Sequence, residues 1–296
     1  MRRLVAALAA LLLVAGCSGA GDRAGVVVTT NILGDVTRAI AGDQAEVTVL
    51  MRPGADPHSF ALSAQEAALL EDAGLVVHNG LGLEEGVARN VDAAVRAGVP
   101  TLAAGEAADP IPYAGGEPDP HFWTDPRRMR AVVLAIADEV AGVPGADAAV
   151  VRANADAYVR ELDALDAWMA ERFATIPAER RKLVTNHHVF GYLAQRYGFE
   201  VVGAVVPSGT TLASPSPSDL AELAAAIRAA GVPAIFADSS QPDRLARVLA
   251  DQAGVRVRVV PLHSESLTAP GGGAATYLEL MRSNTDAIVS ALAGSH

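Results

Sequence analysis

Short apolar runs alternate with stretches of helical periodicity along most of the chain. Runs at 26–32, 46–51, 75–79, 101–103, 183–185, 200–206, 234–237 and 255–262 read as strands. Between them, apolar residues recur at helical spacing over 33–41, 63–73, 84–97, 126–141, 189–197, 217–230, 243–253 and 277–292. Strands alternating with helices predict an α/β fold with parallel sheets covered by helices. Some helix starts carry their own signals. Asp125 before Pro126 reads as an N-cap followed by proline at the first helical position, and Ser218 and Asp219 lead an apolar-periodic run.

Segment 146–173 stands apart, with Ala, Leu, Val, Tyr and Trp at helical spacing and neither Gly nor Pro. Pro144-Gly145 precede it and Ile176-Pro177 close it. Such a helix spans roughly 40 Å at 1.5 Å per residue. That is enough to pass from one lobe to another, or to lie along a single domain. No internal repeat is visible.

The first sixteen residues, MRRLVAALAALLLVAG, pair a basic start with a short apolar stretch. This is the layout of a secretory signal and is too short for a stable membrane span. Val14-Ala15-Gly16-Cys17 resembles the bacterial lipobox, which implies cleavage before Cys17 and lipidation of its sulfur. Cys17 is also the only cysteine, and a lone free thiol is a liability in an oxidising compartment. Residues 17–25 then read as a tether, which puts the body outside the cytoplasm on a lipid anchor.

Composition narrows the function. At 51% hydrophobic residues the chain is too apolar for disorder, and 296 residues suffice for two modest lobes with their own cores. The net charge is −11 and the longest basic run is Arg180-Arg181-Lys182, which argues against nucleic acid as a partner. A negative surface attracts cations and equally serves solubility.

The chain has no CxxC pair, HExxH helix, GxSxG elbow or Walker loop. Its histidines carry the chemistry instead. Asp-Pro-His occurs twice, at Asp56-Pro57-His58 after a strand and at Asp119-Pro120-His121 before a helix. Proline stiffens each turn, so the imidazole is presented rather than floppy. The aspartate can accept from the backbone or from the ring's other nitrogen, as partners of metal ligands do. His187 and His188 follow the strand at 183–185, and Glu265 follows the strand ending at Leu262. All lie at carboxyl ends of strands, where open α/β sheets gather ligands.

These blocks bring a family into view. GADPHSF (54–60), HNGLGLE (78–84), DPHFWTDP (119–126), NHHVFGYLAQRYGFEVVG (186–203), AIFADSSQP (234–242) and SESLTAPGGGAATYLELMRSNTDAI (264–288) occur in order. The chain resembles the metal-binding proteins of bacterial ABC importers, the zinc/manganese or cluster A-I group. The stretch 187–216 looks closest to actinobacterial zinc-binding lipoproteins of that group. The resemblance implies two α/β lobes, each a parallel sheet with flanking helices, joined by one long rigid helix. Its expected divisions are a signal at 1–16, a tether at 17–25, lobes at 26–143 and 178–296, and a linking helix at 144–177.

Carried over by position, the metal ligands are His58, His121, His187 and Glu265, in a cleft between the lobes. Asp56, Asp119, Asp238 and His188 are expected beside the ligands rather than on the metal. His78, His263 and the terminal His296 are not expected to bind, and Trp123 and Phe60 read as cleft wall. Three imidazoles and a carboxylate form a borderline set that suits Zn²⁺; Mn²⁺ prefers more oxygen. The chain departs from its relatives in two respects. Glu265 stands where most have Asp, and the loop 104–120 carries no histidine where zinc members often have several. Expected partners are a permease and an ATPase, with the chain acting as a non-catalytic monomer. The alternatives are manganese or iron import, a surface adhesin, or a zinc-dependent hydrolase, which needs an open coordination position.

Overall fold

The computed structural model describes residues 25–113, 116–254 and 257–293. The segment 1–16, Cys17, most of the tether and His296 lie outside the described residues. β1 (Val26–Val28), β2 (Val47–Val49), β3 (Leu75–His78) and β4 (Thr101–Ala103) form one parallel sheet in the order β2-β1-β3-β4. β5 (Lys182–Thr185), β6 (Glu200–Ala204), β7 (Ala234–Asp238) and β8 (Arg258–Leu262) form a second in the order β6-β5-β7-β8. One strand order thus occurs twice, although the sequence shows no repeat.

Both faces of each sheet are covered. Val26 and Val28 enter the central core, while Val27 between them enters a smaller core with Leu50, Leu70 and Val76. Burial on both faces is why these strands read as unbroken apolar runs rather than alternating ones.

Helices α1 (Asn31–Ala41), α2 (Ala64–Asp72) and α3 (Ala88–Arg96) belong to the first lobe. α6 (Gly191–Tyr197), α7 (Pro217–Ala230), α8 (Arg244–Ala253) and α9 (Tyr277–Leu292) belong to the second. α4 (Pro126–Val140) and α5 (Ala148–Ala174) bridge them. The long helix does not work alone: α5 packs along α4 and also against α1 of one lobe and α9 of the other.

Two boundaries differ from the sequence reading for a clear physical reason. β1 stops at Val28, and Ile32 already lies in the helix that begins at Asn31, whose buried face includes Ile32, Leu33, Val36 and Ile40; an apolar run by itself does not separate strand from helix. α3 starts at Ala88 rather than Glu84, because the buried Glu84 carboxylate accepts the amides of Asn79 (2.8 Å) and Gly80 (3.1 Å) and the Thr29 hydroxyl. The N-cap of α7 is Ser216, in a capping box with Asp219. Asp125 caps α4 ahead of Pro126, as its dipeptide indicates.

Candidate metal centre

Each Asp-Pro-His turn uses the same local device. Asp56 Oδ1 accepts the His58 amide at 3.0 Å, and Asp119 Oδ1 accepts the His121 amide at 2.9 Å. The carboxylate thus closes a turn two residues long around a proline of fixed φ. His187 leaves β5 through a turn in which the Thr185 hydroxyl donates to the His187 carbonyl at 2.7 Å. Glu265 follows β8 between two serines. Ser264 bonds Asp238 through its hydroxyl and accepts Trp123 Nε1–H on its carbonyl at 2.9 Å, while Ser266 Oγ accepts from Asn31 at 2.8 Å.

These turns bring His58, His121, His187 and Glu265 together, with one ligand-capable atom from each within 4.8 Å of every other. All four residues are at most 1% exposed. Glu265 Oε1 lies 3.0 Å from His58 Nε2, 3.2 Å from His121 Nε2 and 3.1 Å from His187 Nε2. The Nε2 atoms of His58 and His121 are 3.5 Å apart. A tetrahedron with metal–ligand bonds of about 2.0–2.1 Å has edges of about 3.3–3.4 Å, so the spacing suits one small cation. His58 Nδ1, His187 Nδ1 and Glu265 Oε2 are buried with no hydrogen-bond partner among the described residues. This is a buried three-histidine, one-glutamate site capable of coordinating a divalent transition metal such as Zn²⁺ or Mn²⁺.

Electrostatics set the protonation of the donors. Burial by itself would raise the Glu265 carboxyl; the charge of His187 and hydrogen bonds from His121, His187 and His58 hold it well below the usual carboxylate range. Burial opposes a charge on His121, but Asp119 and Glu265 outweigh it and raise its pKa to about 9. Asp119 Oδ1 sits 2.8 Å from His121 Nδ1, which turns Nδ1–H toward the aspartate and Nε2 into the cluster.

The other sequence-derived candidates divide. Asp119 touches a cluster histidine ring. Asp56 instead turns its free oxygen to Ser59, Thr211 and Gln241. Asp238 is buried against Ser264 and Ser240 and reaches the cluster only through the chain; burial and then the Glu265 charge push its carboxyl up. His188 stays outside the four, donating its amide to Ser208 at 3.0 Å. His263 Nδ1 meets Ser239 Oγ at 3.0 Å, and His78 also lies outside the cluster.

Two aromatic contributions are invisible in the sequence reading. Tyr113 comes from the histidine-free loop, and its hydroxyl lies 2.9 Å from His121 Nδ1. Burial, then the Asp119 charge, keeps that phenol neutral. Tyr192 donates to the Asp119 carbonyl at 2.6 Å and accepts the Ile111 amide at 3.2 Å. Trp123 is more than cleft wall: its ring packs edge-on to His121 while its N–H holds the residue before Glu265.

Comparison with known proteins supplies the context. The family model for the zinc-uptake complex component A, periplasmic (ZnuA), matches residues 26–291. The manganese-binding lipoprotein MntA of Halalkalibacterium halodurans is 28% identical over 277 residues, covering 94% of this chain and 91% of that protein. The zinc-binding protein TroA of Treponema pallidum is 33% identical over 275 residues, covering 90% of this chain and 88% of that protein. The solved structure of periplasmic TroA matches with a TM-score of 0.85 at 32% identity, over 91% of this chain and 99% of that one.

Proposed function

We propose, from the premise that this chain belongs to the zinc-uptake complex component A family, that its cargo is Zn²⁺ and that His58, His121, His187 and Glu265 are the ligands. The protein is an extracytoplasmic metal-binding component of an ABC transporter, and its family and fold are those of non-catalytic transport proteins. The observation that carries the reading is three imidazole Nε2 atoms within 3.0–3.2 Å of one buried carboxylate oxygen. Three nitrogens and one oxygen form a set that zinc accepts as a closed four-coordinate shell. The zinc-binding relative TroA supports the same choice.

Manganese is the second reading, and two observations favour it. Glu265 Oε2 is a buried oxygen without a partner, available as a further ligand, and the relative MntA is a manganese-binding protein. On the sequence blocks, the chain falls with the actinobacterial zinc-binding lipoproteins, anchored through Cys17 and acting as a monomer. Residues 26–143 and 178–296 are its lobes and 144–177 its link. Zinc is handed to the importer's permease, which its ATPase drives.

Calorimetry with Zn²⁺ on the purified protein tests the site. One tight site is expected. His187→Ala is expected to weaken it by more than the roughly 10–100-fold that follows loss of a partner to a ligand. Unchanged affinity in that variant removes His187 from the set.

A further inference from the structure

Asp56 does more than close the His58 turn. Its Oδ2 accepts from Ser59 Oγ at 2.9 Å, Thr211 Oγ1 at 2.7 Å and Gln241 Nε2 at 3.1 Å. Thr211 lies between β6 and α7, and Gln241 between β7 and α8. Both belong to the other lobe, and a carboxylate serving a turn alone needs neither.

The receiving loop is tied to His187. Val206 donates its amide to the Asn186 carbonyl at 2.7 Å, and His188 donates its amide to Ser208 at 3.0 Å. The same loop meets the neighbour of a second cluster histidine, because Tyr113 packs on Gly209 so closely that a Cβ there would stand 2.5 Å from the ring. Behind the loop is a cavity of about 550 Å³ lined by Asn186, His187, Val206, Thr211 and Gln241.

Other cross-lobe bonds, such as Asn31 to Ser266 and Tyr192 to Asp119, are buried. Asp56, Thr211 and Gln241 are half-buried, where water competes for the same donors. Contacts of that kind open first in local fluctuations.

We propose that Asp56, Thr211 and Gln241 form a clasp across the cleft that sets the residence time of the bound metal. The inference rests on the four-residue site proposed above. Asp56 is bonded into the His58 turn, so its bonds to the two donors, strengthened by the charged acceptor, tie the His58 side of the cleft to the His187 side. When the clasp opens, loop 205–215 leaves the His58 turn and takes the His187 segment with it, parting ligands of the two lobes. The three are positioning residues, acting on the metal through the ligand loops.

The test is zinc release from the full chain loaded with Zn²⁺, followed by stopped flow against excess chromogenic chelator. Thr211→Val combined with Gln241→Met is expected to release zinc about tenfold faster or more, with association changed less than about threefold. In an Asp56→Asn background the added Thr211→Val change is expected to have little further effect. Release at the wild-type rate, or full additivity with Asp56→Asn, overturns the clasp. So does a fall in metal-free melting temperature with unaltered release, the signature of a merely structural role. Gln241→Met alone serves if the double variant folds poorly. The two proposals fail separately: if His187→Ala binds zinc normally the site is wrong, whereas if His187→Ala loses zinc and the clasp variants release it normally, only the clasp is wrong.

Discussion

His121 is gripped on both ring nitrogens, by Asp119 at Nδ1 and Glu265 at Nε2. With its pKa raised to about 9, the ring carries a proton at neutral pH in the metal-free protein. A metal needs the Nε2 lone pair, so binding near pH 7–8 must expel that proton. Glu265, held far below the usual carboxylate range, has none to give. Zinc affinity should therefore rise with pH by at least about tenfold per unit, until His121 deprotonates near pH 9 and its contribution ends. Calorimetry in buffers of different ionisation enthalpy measures the count. A binding heat independent of buffer would remove the proton from the mechanism. At this scale the sequence is legible where chemistry and position coincide: His58, His187 and Glu265 lie in the segments that follow strands, and His121 in the turn that leads into α4. It does not disclose which Asp-Pro-His aspartate serves its ring. Asp119 and Asp56 sit in identical triplets, and only the surrounding fold sends one to an imidazole and the other across the cleft.

At the scale of elements, α5 is locked by a charge its amphipathic pattern does not announce. Asp166 is 8% exposed and accepts from Arg127 Nε at 3.0 Å on α4, and from Arg196 Nη2 at 2.7 Å and Tyr197 OH at 2.9 Å on α6. Burial works against its charge, yet hydrogen bonds from Arg196, Tyr197 and Arg127 leave its carboxyl below the ordinary value. A lowered folded-state pKa gives stability that is present above the unfolded value, near 4, and lost as pH falls through the folded one. Asp166→Asn should cost about 1–3 kcal/mol at pH 7, the upper end being limited because Arg127 is largely solvated. The difference from wild type should shrink below about pH 4. Urea unfolding at the two pH values checks both, and a constant difference would contradict the ion-pair account. The existence and order of the helices are legible from periodicity and caps such as Asp125-Pro126. The joint is not, since Asp166, Arg127 and Arg196 lie 30 or more residues apart and only packing makes them neighbours.

Across the whole molecule, two sheets of like topology share one core. Apolar contact runs from Val28 of β1 through Ile136 of α4 and Leu165 of α5 to Phe236 of β7 and Leu292 of α9 without a polar break. Each lobe keeps a smaller core of its own, around Leu70 in the first and Ile227 in the second, but the larger shared interior couples their unfolding. The cleft between them is polar and closes on four ligand-capable side chains, so metal adds its stabilisation to a body that already unfolds as a unit. Zinc at about a thousand times its Kd contributes about 4 kcal/mol by mass action. In a protein of this size each kcal/mol moves Tm by about 2–4 °C, so saturation should raise Tm by about 10 °C. Scanning calorimetry should show one transition without metal and one, shifted upward, with it, reversed by chelator. Two resolved transitions in the metal-free protein would mean that α4 and α5 link the lobes without fusing their cores. In that case closure around the metal, rather than the shared interior, would hold the two halves in register.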